Sequence, residues 1–437
     1  MRDLLLVVFL FVAIFYSFKR PVAGVAAWMW IALMAPTEWA FGFSQTFRMN
    51  LTIVLFVALS YFIWKEKPKV KFTAVHFWVF FFCFWMLVSS VLHQRVDSSY
   101  VWFKYIEFIK VIVLFSFISL TVKTKKDIDT IVWAIVLGLS AYSAMEGVKF
   151  LLSAGSHRIV GRSGILADRN DLAVAINMSI PLVLYLWSVT TDKKLRLGLL
   201  GIAGLCAVAI VGTYSRGGFI GLSILAFAMW LRSEKKAIFL IIGLMAIPVL
   251  YATAPAEWKD RQATIETASA EDGSFIGRLW AWKIATLIAI DNPITGGGFK
   301  ATTDPLLWRT YADETPNFGP IETPPIPPEL RPKAAHNIYF QVLASAGFAG
   351  LTIFLLMLLT GYLKALSIAR KAAKENIEWR KNLANAISLS LVGYGITGLN
   401  VSLAYFELVY AMLALLCVLS IYQMKGSGPD ANIKRSI

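Results

Sequence analysis

The stretch AHNIYFQVLASAGFAG, residues 335–350, lies where the longest polar segment of the chain meets an apolar run. The polar segment covers residues 254–335, and the apolar run extends from 336 to 362. This junction predicts a water-facing loop that leads into a membrane-embedded helix, with the imidazole of His336 at the interface between them. The possible role of His336 therefore depends on whether the chain spans a membrane.

The composition indicates an all-α polytopic membrane protein. Of its 437 residues, 57% are hydrophobic and 16% are charged, whereas a soluble protein has about 25% charged residues. Apolar runs of about 17–25 residues recur along the chain, and each can cross the ~30 Å hydrocarbon core as a helix. We expect about 12 or 13 transmembrane helices, with one long and partly helical loop before the last of them.

The distribution of basic residues predicts the orientation of these helices. Cytoplasmic loops of membrane proteins are rich in Lys and Arg, and here the basic clusters fall in every second loop: 19–20, 65–71, 123–126, 193–196, 232–236, 364–381 and the tail. The remaining loops then share the outer side: 37–48, 93–99, 153–169, 213–217 and 254–335. The predicted units are a helical bundle at 1–253, an outer loop domain at 254–335, C-terminal helices at 336–424 and a cytoplasmic tail at 425–437.

The same rule accounts for the formal charge of +15. Because the basic clusters lie between apolar runs and no basic domain with interleaved aromatic residues exists, nucleic acid is not an expected partner. The three cysteines, Cys83, Cys206 and Cys417, lie within apolar runs and far apart in sequence. They are predicted to pack in the interior rather than to form disulfides or bind metal.

The long loop is predicted to consist of three parts: a helix, a turn and an extended segment. A helical pattern extends from Trp258 to Ile290 and should end at Asp291-Asn292-Pro293, because Pro lacks the N–H and disfavours helix before it. Gly296-Gly297-Gly298 predicts a flexible or tight turn. The segment from Pro320 to Pro332 predicts a stiff extended chain that leads to His336.

His336 is the candidate general base. An imidazole with a pKa near 6.5 accepts a proton at neutral pH, as activation of a sugar hydroxyl requires. The alternative is a histidine at a helix start that hydrogen-bonds a loop carbonyl.

Three arginines are candidates to bind phosphate: Arg216, Arg278 and Arg162. The planar guanidinium donates two hydrogen bonds at once and stays charged, which suits a pyrophosphate. Arg216 follows Tyr214-Ser215 on the side where basic residues are disfavoured, although an arginine at a helix end that reaches toward water is the alternative. Surface charge is the alternative for Arg278. Arg162 lies in a glycine-rich loop before a helix that Asp168 and Asn170 should cap.

No metal or other cofactor is expected. The acidic residues of the outer loops include no Asp-x-Asp pair, the pattern with which many sugar transferases hold a divalent ion. The arginines would then supply the positive charge that a metal ion provides in such transferases.

The spacing His336-Asn337, nine residues, Gly347, two residues, Gly350 resembles the signature of bacterial O-antigen ligases. The turn Tyr214-Ser215-Arg216-Gly217 and the segment 161–170 also resemble that superfamily. The resemblance implies a fold similar to other lipid-dependent sugar transferases with helical membrane cores (GT-C-like). It implies His336 as base, Arg216, Arg278 and Arg162 on the donor phosphates, and Asn337, Ser215, Tyr214, Gly347 and Gly350 in support.

The resemblance also implies the substrates and the location. The donor would be a glycan linked to undecaprenyl pyrophosphate, and the acceptor a sugar of lipid A–core. Transfer would be en bloc, inverting and metal-independent, at the periplasmic face of the bacterial inner membrane. Alternatives within the superfamily are an O-antigen polymerase and a protein O-glycosylation ligase.

Two alternatives come from other classes. A transporter should have ionisable residues near the membrane midplane, and the apolar runs contain few of these: Lys104, Glu107, Lys110, Glu146 and Glu407. A non-catalytic scaffold would not depend on His336.

Overall fold

The computed structural model describes residues 2–95, 97–161, 164–232, 236 and 273–422. These residues form fourteen α-helices and five short 3-10 helices, and they contain no strand. The α-helices are α1 (Arg2–Lys19), α2 (Pro21–Met34), α3 (Met49–Ile63), α4 (Ala74–Val91), α5 (Ser98–Thr121), α6 (Lys125–Leu152), α7 (Arg169–Val189), α8 (Lys193–Gly212), α9 (Arg216–Arg232), α10 (Gly273–Asp291), α11 (Pro305–Ala312), α12 (Ile338–Lys374), α13 (Glu378–Thr397) and α14 (Glu407–Tyr422). The prediction of an all-α membrane protein is confirmed.

Five of the described helices, α4, α6, α7, α8 and α12, are long and apolar enough to cross a membrane. Helices α2, α3 and α14 are apolar but shorter. Residues 237–253, which make up nearly all of a further apolar run, the loop residues 254–272 and the tail at 425–437 lie outside the described residues. The total of 12 or 13 spans and the division into domains therefore stay predictions.

Polar side chains begin several of these helices. Thr73 and Thr124 form capping boxes at the starts of α4 and α6, and Asp192 accepts a hydrogen bond from the backbone N–H of Leu195 at 2.7 Å at the start of α8. Such caps satisfy backbone N–H groups that have no partner within the helix. They fix where each helix leaves the loop that precedes it.

The helices pack around a continuous apolar core. Helix α7 packs against α13 and α8, helix α12 against α13 and α4, and helix α6 against α2 and α8. Helix α14 is buried on all sides, since its residues 408–417 have no exposed surface. By contrast, α1 and α3 expose large apolar side chains such as Leu5, Phe11 and Phe62. A helix that exposes such a face suits contact with lipid.

Loops predicted to share one side of the membrane contact one another at one end of the bundle. Gln94 N–H donates to the carbonyl of Gly297 at 3.2 Å. The Tyr214 hydroxyl donates to the carbonyl of Gly155 at 2.7 Å. The loops 93–99 and 153–169 are thereby attached to the long loop and to the turn between α8 and α9.

Helix α12 is interrupted at Gly347, so the apolar run from 336 to 362 is not one continuous helix. Gly347 has φ 68°, and a β-carbon there would lie 2.5 Å from the carbonyl oxygen of Pro293. Residues 293–298 fill the break: Phe348 N–H donates to that carbonyl at 2.8 Å, and Gly297 N–H donates to the Ala344 carbonyl at 2.8 Å. The turn predicted at Gly296-Gly297-Gly298 therefore takes over backbone groups that the broken helix leaves unpaired.

Candidate active site

A cavity of about 510 Å³ lies at the end of the bundle where the loops predicted to face outward contact one another. It is formed by three segments that are distant in sequence: the start of α7, the second turn of α10 and the chain just before α12. Its lining residues are Asp168, Arg169, Asn170, Gly277, Arg278, Lys333, Ala334 and His336. Two of the predicted site residues, His336 and Arg278, therefore share one cavity.

Neighbouring contacts fix the backbone at His336. Its φ is 44°, in the left-handed region that non-glycine residues rarely adopt, and its N–H donates to the hydroxyl of Ser402 at 3.1 Å. The indole of Trp282 on α10 donates to the carbonyl of Ala335 at 2.6 Å and stacks on Phe340 with ring centroids 5.2 Å apart. Strained backbone that its surroundings hold in place is a feature of functional sites.

The charges around His336 favour its neutral form. Burial lowers the pKa of its imidazole, and the nearby Arg278, Lys300 and Lys333 lower it further, whereas Asp168 raises it. A neutral imidazole is the form that accepts a proton. The described residues include no hydrogen-bond partner for this ring, so the alternative of a ring bonded to a loop carbonyl is not observed there.

Arg278 lies beside a second cation. Its guanidinium donates to the side-chain oxygen of Asn400 at 3.2 Å. The side chain of Lys333 crosses Gly277, where a β-carbon would lie 2.6 Å from the lysine ammonium. A side chain at position 277 would therefore displace Lys333 from its place in the cavity lining.

Arg216 is not among the described residues that line the cavity. It is the first residue of α9, whose start is capped by Ser215 through a 3.1 Å bond from the N–H of Gly218. The next residue, Gly217, packs on Asn400, where a β-carbon would lie 2.6 Å from the side-chain amide nitrogen. Asn400 thus contacts both the start of α9 and Arg278. Arg162 lies outside the described residues.

The supporting residues of the signature have structural roles. Asn337 caps α12, because its side-chain oxygen accepts from Tyr339 N–H at 2.9 Å. Gly347 provides the helix break, and a β-carbon on Gly350 would lie 3.2 Å from the indole of Trp85. These three residues do not line the cavity, and Asn337 fixes the start of the helix that follows His336.

The cap predicted at the start of α7 is confirmed for Asp168. One carboxylate oxygen accepts from Asn170 N–H at 2.7 Å, and the same side chain lines the cavity. The Asp168 carboxylate therefore stabilises the start of α7 and also raises the pKa of His336.

Sequence reasoning missed Lys300, Lys333, Asn400 and Ser402 as members of this region. Lys300 is half-buried, and its pKa is lowered by burial and by the nearby cations Lys104 and Arg95. The signal that singled out Arg216, a basic residue on the side where such residues are disfavoured, also applies to Lys300 and Lys333. Nothing local marks Asn400 or Ser402, because they come from the turn after α13.

The described part of the chain contains no group of three or more His, Cys, Asp or Glu side chains that could hold a metal ion. The metal-independent chemistry stays a prediction.

Comparison with known proteins adds two matches. Residues 175–355 match the family described as O-Antigen ligase, and residues 1–191 match a family of unknown function (DUF5935). No curated protein matches the chain. The first match includes His336, Arg278, Arg216 and the two glycines of the signature, as the sequence resemblance predicts. Residues 175–355 thus carry an O-antigen ligase domain, which is consistent with membership of the O-antigen ligase family.

Proposed function

We propose that this protein is an O-antigen ligase. It would transfer a glycan en bloc from undecaprenyl pyrophosphate to a sugar hydroxyl of lipid A–core, at the periplasmic face of the bacterial inner membrane. The O-antigen ligase domain supports a ligase-type glycosyltransferase. The proposed catalytic roles and the pyrophosphate donor rest on one observation. His336, Arg278 and Lys333 line the same cavity, which therefore combines a base with cations.

His336 would act as the general base. Its imidazole takes the proton of the acceptor hydroxyl as that oxygen forms a bond to the anomeric carbon of the donor. The bond from the anomeric carbon to the phosphate oxygen breaks, and its electron pair leaves with the lipid pyrophosphate. Attack from the face opposite the leaving group would invert the anomeric carbon, and the reaction needs no metal or nucleotide.

The cations would stabilise the leaving group. The pyrophosphate gains negative charge in the transition state, and fixed positive groups at that point lower the barrier. Arg278 and Lys333 line the cavity, and Arg169 lines it at the start of α7. Arg216, one residue from the contact between Gly217 and Asn400, would bind the part of the donor beyond the cavity, and we propose Arg162 for the same group of phosphates.

Donor binding would also strengthen the base. The cations that lower the pKa of His336 would be partly neutralised by a bound pyrophosphate. The imidazole pKa would then rise, because an anion nearby favours its protonated form. The base would therefore gain proton affinity when the donor is in place.

The experiment is a transfer assay on the purified protein in liposomes, with lipid-linked glycan as donor and three acceptors in separate reactions. Lipid A–core should be glycosylated. Glycan extension of a second lipid-linked donor would instead identify a polymerase, and modification of a Ser- or Thr-containing protein would identify a protein ligase. Absence of transfer to all three acceptors would contradict the proposed enzyme.

A further inference from the structure

A second cavity, of about 460 Å³, lies between the ends of five helices. The last residues of α1, α3 and α5 and the first residues of α2 and α6 surround it. Its lining residues are Lys19, Arg20, Pro21, Val22, Trp64, Lys65, Glu66, Thr121, Lys123, Thr124 and Asp127. Three basic clusters that are distant in sequence, 19–20, 65–71 and 123–126, therefore meet at one place.

This cavity is at the opposite end of the bundle from the candidate active site. Helix α6 starts beside it at Lys125 and ends at Leu152, just before the loop that leads to Asp168. Its 28 residues correspond to a length of about 42 Å. Helix α5 also runs from the active-site end, at Ser98, to this cavity, at Thr121. The second cavity is therefore not part of the first.

The acidic residues of the cavity are already engaged. Asp127 pairs with Arg20 and also accepts hydrogen bonds from the backbone N–H of Lys123 at 3.0 Å and of Thr124 at 2.8 Å. Glu66 pairs with Lys123 at 3.2 Å, but the Glu66 side chain is 81% exposed, and exposed pairs of this kind contribute little.

Two lysines are left to give the cavity its positive charge. In the described part of the chain, no carboxylate forms an ion pair with Lys19 or Lys65. The four basic and two acidic side chains of the lining therefore leave an excess of two positive charges.

The outer surface of the bundle next to the cavity is apolar. Phe15 and Phe18 on α1 and Phe62 and Ile63 on α3 are exposed. The ammonium of Lys19 lies 4.5 Å from the ring centroid of Phe15. Trp64 lies beside the cations, with the ammonium of Lys123 5.0 Å from its ring. A ligand here would meet positive charge at one end and apolar helix faces along its length.

We propose that this cavity binds the phosphate diester of an anionic phospholipid, with the acyl chains on the exposed faces of α1 and α3. Basic pockets between transmembrane helices bind lipid headgroups in this manner. The apolar faces favour a lipid over a soluble phosphate, because only a lipid fills both parts. This site is independent of the proposed transfer reaction.

The test is native mass spectrometry of the intact protein titrated with phosphatidylglycerol, and separately with phosphatidylethanolamine of the same acyl chains. The wild-type protein should retain the anionic lipid in preference. The double variant Lys19→Gln/Lys65→Gln should retain it at least about tenfold less, because each basic residue contributes to the attraction. Lys19→Arg/Lys65→Arg keeps the charge and should restore retention, which separates loss of the site from loss of folding.

Lys193→Gln/Lys194→Gln is the matched control. These two lysines are exposed at the start of α8, at the same end of the bundle but outside the cavity, so retention should stay at the wild-type level. Equal loss in this control, equal retention of the two lipids, or failure of the charge-retaining variant would overturn the proposal. Competition by glycerol phosphate at the same concentration as the lipid would assign the site to soluble phosphates and also overturn it.

Discussion

The two ends of the helical bundle each have a cationic cavity, of about 510 Å³ and about 460 Å³, but they differ in what accompanies the charge. At the first cavity an imidazole lies on a strained backbone beside Arg278 and Lys333. At the second, cations alternate with carboxylates that are paired within the protein. Both cavities suit a phosphate group, but only the first includes a group that can take up a proton near neutral pH.

The difference shows that positive charge by itself does not identify a catalytic site in a membrane protein. Basic residues at the second cavity belong to the loops predicted to be cytoplasmic, where such residues are common, whereas those at the first belong to loops predicted to face outward, where they are disfavoured. The comparison can be tested by changes that affect one end and leave the other intact.

Substitution of the proposed base should have the largest effect. His336→Ala should lower transfer by about 10²–10⁴-fold, because general-base catalysis contributes that much, while retention of phosphatidylglycerol at the second cavity stays unchanged. Turnover in the liposome assay and native mass spectrometry measure the two outcomes. His157→Ala is the control, since His157 lies at the same end but pairs with Glu146 at 2.7 Å and does not line the cavity. Full activity of His336→Ala would exclude it as the base.

Removal of the phosphate-binding charge should come next. Arg278→Gln should lower kcat/KM for the lipid-linked donor by about 10²-fold, the usual cost of losing one donor to a developing negative charge. Arg278→Lys should fall between this variant and the wild type, because it keeps the charge but loses the planar fork. Arg309→Gln, on the exposed surface of α11, should have no effect. If Arg278→Gln and Arg309→Gln behave alike, Arg278 does not bind the donor.

Loss of the helix break should affect the first end of the bundle and the stability of the fold. Gly347→Ala places a β-carbon 2.5 Å from the carbonyl oxygen of Pro293 at a residue with φ 68°. Backbone strain of this kind costs about 1–3 kcal/mol, and the clash adds to it, so the melting temperature and transfer should both fall. Gly198→Ala on α8 is the control, since a β-carbon there has no heavy atom within 4 Å. An unchanged melting temperature for Gly347→Ala would show that the break tolerates a side chain.

The smallest expected effect is on pH dependence. Transfer should decline as the pH falls through the pKa of His336, because protonation removes the base. Lys333→Gln removes a charge that lowers this pKa, so the acid limb of kcat/KM should move to higher pH. Asp168→Asn removes a charge that raises it but keeps a side chain that caps α7, so the limb should move to lower pH. Shifts in the same direction would contradict the assigned electrostatics.

Part of the site could be predicted from local patterns. The polar-to-apolar junction at His336 and the cap at Asp168 each depend on a few neighbouring residues, and both are present in the structure. The end of α10 at Asp291 also follows from the proline after it. Arg216 shows the limit of such patterns. Its charge marks an unusual position, but the direction and reach of α9 decide that it does not line the described cavity.

The sequence by itself determined that the chain is a helical membrane protein, that α10 ends before Pro293 and that Asp168 caps α7. These properties depend on apolar length, charge and local capping, all of which are encoded within short segments. Only the tertiary structure decided that α12 breaks at Gly347 to accept residues 293–298, and that Lys333 and Asn400 lie beside Arg278. The physical reason is that these contacts join segments far apart in the chain, so the packing of whole helices fixes them and no local pattern does.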